Sequence, residues 1–267
     1  MLIPILAFQL AQAPSPMVEN TRAHERLQRQ TLPGERIQTK LGSLLLPDRS
    51  KGKKIPLVIH FHGEPWVAEQ SVRRWMPRFA VLGVQLGSGS RVYGEGVKDP
   101  ELLQSVLSAA PGRQFGPVYL AGFSAGYGAI RQILRQSQNA GWVDGVILLD
   151  GLHSDYEQPA EARHPLPADL DVFLEFAKQA AAGRKRMLVL HSEIFPSTFA
   201  STTETTDWLV AQLGLKRKPI LRWGPLGMQI LSETRTGRLR ILGFAGNAAP
   251  DHVDFLHALG WAVKELK

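Results

Sequence analysis

Ser124 has the residue type and setting of a nucleophile. It stands in Gly122-Phe123-Ser124-Ala125-Gly126, a G-x-S-x-G pentapeptide that ends the apolar run PVYLAGF (117–123) and leads into the helical pattern AIRQILRQ. The pentapeptide alone says little, because its residue types are common; its position between a strand and a helix is what carries information. A serine on so tight a turn is held in a strained backbone conformation, and the glycines two residues either side make room for the sharp approach. Its hydroxyl then stands clear at the carboxyl edge of a sheet, at a helix N-terminus whose dipole favours developing negative charge. Sulfur is no rival, since the chain contains no cysteine, which also removes a disulfide framework and a zinc ribbon. A metal is the other option. His60-Phe61-His62 puts two imidazoles on one face of a strand, and His153 and His191 follow later strands, so a metallohydrolase is conceivable. His60, however, lies inside a buried run, where a hydrogen-bonded core histidine is expected. No G-x-G-x-x-G or phosphate loop follows a strand, and neither a cofactor nor a metal is expected.

These residues need a scaffold, and the pattern from about residue 35 onward supplies one. Short runs rich in Val, Ile and Leu occur at 36–46, 55–63, 80–86, 117–123, 143–150, 186–192 and 238–246. Between them, helical periodicity fits 66–79, 100–110, 125–136, 168–182, 201–213 and 251–267. Continuous apolar strands alternating with amphipathic helices predict a mostly parallel central sheet with helices on both faces. Ser201-Thr202-Thr203-Glu204 has the spacing of a reciprocal helix cap, and Gly183 suits a left-handed helix end. Thr236-Gly237, inside the alternating stretch 228–244, predicts a hairpin whose second strand is the last of the sheet. The expected division is a lead-in over 14–34, with 18–30 loosely helical, and one domain over 35–267.

The elbow serine and its flanking elements resemble the α/β-hydrolase superfamily over residues 36–267, as a serine esterase without a large lid domain. Two further features carry the resemblance. His62-Gly63-Glu64-Pro65 follows a buried strand, and in that family an H-G-x-P turn supplies one oxyanion-hole amide, which would be Glu64 N–H, with Ala125 N–H as the second. The family also carries its general base after the final strand, which implies His252, beyond the loop 246–250, rather than His257 a turn further on. The orienting acid stays open. Where the family has it, after the penultimate strand, this chain reads His191-Ser192-Glu193-Ile194-Phe195, with phenylalanine at the acid position. Asp150, which ends the strand after the nucleophile strand and precedes a glycine, is the first candidate; Glu193 and Glu204 are the alternatives, although Glu204 already has a capping role. Asp251 is expected to cap the last helix.

The resemblance implies hydrolysis of a carboxylic ester through a Ser-His-acid triad and an acyl-enzyme. The alternative is a hydrolase-fold binding protein without turnover, favoured by the missing acid. About 36 residues separate Asp150 from Met187, with one helix among them, too few for an independent lid, so short or exposed esters, small or polymeric, are the expected substrates. Residues 1–13, MLIPILAFQLAQA, are too short to span a bilayer and end in the small-x-small pattern of a signal peptide. That predicts export to periplasm or exterior; read as an N-terminal strand, the same segment leaves a cytoplasmic chain. With 31 basic and 24 acidic residues the net charge is +7. The basic residues are expected as scattered surface charge, at most holding the protein near an anionic envelope, and they lack the aromatic interleaving that nucleic-acid binding needs.

Overall fold

A computed structural model describes residues 23–48 and 54–267. The predicted signal segment, residues 1–13, lies outside the described residues.

Ten strands among the described residues form one sheet: β1 (Arg36–Thr39), β2 (Gly42–Leu45), β3 (Ile55–Phe61), β4 (Ala80–Val84), β5 (Phe115–Phe123), β6 (Gly145–Leu149), β7 (Arg186–His191), β8 (Lys218–Trp223), β9 (Gln229–Thr236) and β10 (Leu239–Phe244). Their spatial order is β1-β2-β4-β3-β5-β6-β7-β10-β9-β8. From β4 to β10 neighbours run parallel, while β1, β2, β9 and β8 pair antiparallel at the flanks. The helices are α1 (Pro65–Trp75), α2 (Ser90–Gly96), α3 (Glu101–Leu107), α4 (Tyr127–Arg135), α5 (Ser137–Ala140), α6 (Pro167–Ala181), α7 (Thr202–Gln212), α8 (Ala249–His257) and α9 (Leu259–Leu266).

Period-two alternation sends each strand's side chains to opposite faces, and both faces are covered. Leu57, Ile59, Leu120, Leu148 and Val189 meet helices α2, α3, α4, α6 and α7. Val58, Ala121, Ile147, Leu188 and Leu242 meet α1, α8 and α9. The predicted doubly covered, mostly parallel sheet is the observed one, and no lid domain is evident among the described residues. No helix among them is long and apolar enough to cross a membrane.

The departures have physical causes. The run 36–46 is a hairpin, turning at Lys40-Leu41, rather than one strand. Edge strand β8 was missed because most of its residues are exposed and it carries Pro219, Lys218 and Arg222, so no apolar alternation marks it. Helix α2 starts directly after the Gly87-Ser88-Gly89 loop, in a stretch where the sequence pattern predicts no element. The final helix, expected unbroken, is divided at Ala258. There the Ser71 hydroxyl accepts from Gly260 N–H (2.8 Å) and donates to His257 O (2.8 Å), replacing local helix bonds with a tertiary bridge. The lead-in is not helical over its described residues, 23–34; it runs as a strap over α1 and α8, where Leu27 N–H reaches His257 Nδ1 (3.0 Å) and Gln30 N–H reaches Gln70 Oε1 (3.0 Å).

Candidate active site

Strand order reverses between β3 and β5: the chain leaves β3 for β4 on one side and returns to β5 on the other. At such a switch point the loops leaving the two strands part and open a crevice at their carboxyl ends. The loop after β3 is His62-Gly63-Glu64 and the turn after β5 is Ser124, so topology alone sets the two motifs facing one another.

Ser124 has φ = +46°, the strained conformation expected of an elbow, and begins a 3-10 turn that runs into α4. The flanking glycines are sterically required. A Cβ on Gly126 would lie 2.1 Å from Phe61 O, and one on Gly122 would lie 2.9 Å from the Gly126 carbonyl carbon. Ala125 N–H belongs to the first turn, where amides have no partner within the helix. Glu64 immediately precedes α1 with φ −59° and ψ 125°, and its N–H has no acceptor among the described residues. Around it the loop is fixed: Gly63 N–H donates to Gln85 Oε1 (2.8 Å), and His62, at φ = +72°, meets the Tyr93 hydroxyl through Nδ1 (2.9 Å).

The three acid candidates differ in what they contact. Asp150 Oδ2 lies 2.6 Å from His252 Nδ1, with the carboxylate 6% and the imidazole 26% exposed. Ser192, which sequence reasoning did not single out, donates to the same carboxylate twice, from N–H (2.9 Å) and from Oγ (2.8 Å). The pairing of β6 with β7 explains this: Leu149 is in register with Leu190, so the residues just past each strand end are neighbours. Burial pushes the Asp150 carboxyl up, but the His252 hydrogen bond and charge and the two Ser192 donors outweigh it, so the net shift is downward. Asp150 itself is at φ = +45°, and Gly151 lies flat against the elbow, where a Cβ would stand 2.3 Å from Ser124 O. The Phe123 ring touches the His252 ring at a centroid distance of 4.5 Å. Ser124, Asp150 and His252 are thus gathered at one edge of the sheet.

Glu193 and Glu204 are not part of this group. Glu193 is exposed, and its backbone N–H, bonded to Gly246 O, is its only described tie. Glu204 is consumed by Ser201, Tyr156 and Arg163, with its capping box formed as predicted. Asp251 accepts from Ala248 N–H (3.0 Å), the helix-capping role expected of it.

The four histidines of the metal reading do not converge. His60 is fully buried on the α1 face, and burial pushes it down to about 3. Its ring nitrogens make no hydrogen bond of normal geometry among the described residues, although the His62 backbone acts on the ring as a polar partner. His62 turns instead toward Tyr93. His191 accepts from Arg217 at Nε2 (2.8 Å), and burial, with the Arg217 charge, pushes it down to about 4. His153 Nδ1 donates to Ala200 O (3.0 Å), its ring held between Tyr127 and Phe199. Among the described residues the one group with metal-ligand spacing is His24, Asp251 and Asp254, where Arg26 already pairs with Asp254. A cavity of about 390 Å³ bordered by Trp75, Leu226 and Trp261 contains none of the elbow residues.

No family model matches the sequence, and no curated protein matches it. Solved structures similar to it include the carboxylesterase CesB from Bacillus subtilis, at 8% identity and TM-score 0.48, covering 88% of this chain and 90% of that one. A hyperthermophilic esterase from the archaeon Pyrobaculum calidifontis is 14% identical with TM-score 0.48 over 91% and 85% of the two chains. A glucuronoyl esterase from Solibacter usitatus is 11% identical with TM-score 0.44 over 84% and 76%. A mostly parallel sheet covered on both faces, with a G-x-S-x-G serine on the strand-to-helix turn at its carboxyl edge, is the α/β-hydrolase fold.

Proposed function

We propose that the protein is a serine hydrolase of carboxylic esters. The observation that carries this reading is the 2.6 Å contact of Asp150 with His252 beside an elbow serine at positive φ. A carboxylate can only accept, so His252 Nδ1 carries the proton of that contact, and in the neutral imidazole Nε2 is left with the lone pair. His252 Nε2 takes the Ser124 proton as Oγ attacks the ester carbonyl, and Asp150 stabilises the imidazolium that forms. The oxyanion is received by Glu64 N–H and Ala125 N–H, fixed donors that need no reorganisation as charge develops. His252 returns the proton to the departing alcohol, then draws one from water, whose oxygen attacks the acyl-enzyme, and passes it to Ser124 Oγ as the acyl–oxygen bond breaks and the acid leaves.

Small esters, or exposed esters on polymers, suit a site without a lid domain. Phe195 and Phe199 are 57% and 36% exposed on the loop after β7, and Phe199 packs on His153 near Asp150, so the rim beside the candidate triad is apolar. The non-catalytic reading draws on phenylalanine at the usual acid position; the contact of Asp150 with His252 supports the hydrolase over it. Export remains a proposal resting on residues 1–13 alone. Hydrolysis of short-chain p-nitrophenyl esters tests the reading: turnover is expected from the wild type and not from Ser124→Ala, and equal rates from the two would refute it.

A further inference from the structure

Two basic clusters 50 residues apart in the sequence become one surface. Strand β10 pairs in parallel with β7, Leu239 opposite Met187 and Arg240 opposite Leu188, which sets Arg238 beside Arg186. In the β9–β10 hairpin, Arg235 is directly opposite Arg240. Residues in register share a face, and residues two apart along a strand share it too. Arg186, Arg235, Arg238 and Arg240 therefore all project from the face that carries Leu188, the face covered by α9. Together with Lys267 they border a cleft of about 150 Å³ at the amino-terminal end of β7, the opposite end of the sheet from Ser124.

The charges in this cleft are not balanced from within. Arg240 is neutralised twice, by Glu233 (2.6 Å) and by Glu265. Arg186, Arg235, Arg238 and the Lys267 side chain make no ion pair among the described residues, and Asp144, the next acid at this end of the sheet, accepts from Val118 N–H (2.8 Å). Like charges set opposite one another in a sheet repel, so their convergence costs stability unless an anion joins them. Guanidinium forks match tetrahedral oxyanions in shape and donor geometry.

We propose that this cleft binds a phosphate dianion, free or as the phosphomonoester headgroup of a lipid. It is separate from the elbow and corrects the expectation that the basic residues are merely scattered. The test is thermal melting of the full chain with inorganic phosphate against chloride at equal ionic strength, alongside sedimentation with phosphatidylcholine vesicles containing or lacking phosphatidic acid. Wild type is expected to melt higher in phosphate, with the Arg235→Gln/Arg238→Gln double variant binding at least about tenfold more weakly and a remote Lys98→Gln control unchanged. Cosedimentation only with phosphatidic acid, lost in the double variant, assigns the ligand to a lipid; a phosphate response without it assigns a soluble phosphomonoester. No response to either probe, or equal weakening by Lys98→Gln, overturns the proposal.

Discussion

Asp150 makes a different kind of contact from the other two carboxylates once weighed as its catalytic acid: it alone meets His252, while Glu204 caps a helix and Glu193 faces solvent. Asp150→Asn keeps the shape but removes the charge that stabilises an imidazolium, and turnover of a p-nitrophenyl ester is expected to fall by about 10³–10⁴-fold. Glu193→Gln is expected to leave turnover within about twofold, and a large loss there would return the acid role to the loop after β7. At this scale the sequence was legible for Ser124 and His252, because both lie at fixed distances from element ends. It was ambiguous for the acid, since Asp150 after β6 and Glu193 and Glu204 after β7 are all available carboxylates, and only lateral pairing of β6 with β7 brings Ser192 to Asp150. The same lateral information, absent from a linear pattern, explains why Ser192 went unnoticed.

The elements that hold these residues can be tested separately from the chemistry. Gly151 permits the turn after β6 to lie against Ser124, and a Cβ would come within 2.5 Å of Ser124 N. Gly151→Ala must push the elbow aside, and a displacement approaching 1 Å is expected to reduce kcat by about 100-fold, measured in a variant whose circular dichroism remains native. By contrast, Ser201→Ala removes the hydroxyl that accepts from Glu204 N–H (3.1 Å) at the start of α7, a contact in which none of Ser124, Asp150 and His252 takes part. It is expected to cost about 1 kcal/mol and to lower Tm by about 2–4 °C with kcat unchanged. The capping box and the parallel core strands were readable because their signals are local. Edge strand β8 and the break between α8 and α9 were not, because exposure erases one pattern and a tertiary hydrogen bond from Ser71 creates the other.

For the molecule as a whole, buried neutral histidines set its response to acid. His191 and His60 are pushed down to about 4 and about 3 from an ordinary 6.5, chiefly by burial. Below 6.5 the unfolded chain takes up protons that the folded chain refuses, so stability falls as pH drops, by up to about 1.4 kcal/mol per pH unit for each histidine. The loss begins near pH 6.5 and is complete only below about 3. The depressed Asp150 carboxyl adds a further loss below its unfolded value of about 3.9. Urea unfolding followed between pH 7 and 4 (roughly the window of these shifts) is expected to show that slope, and His60→Leu should flatten it by about one proton's worth. The direct test of the central claim is covalent labelling by a fluorophosphonate, with the adduct located by mass spectrometry. An adduct on Ser124, absent in Ser124→Ala and strongly slowed in His252→Ala, is the result expected of an activated serine; folded protein that stays unlabelled, or labels elsewhere, would contradict it.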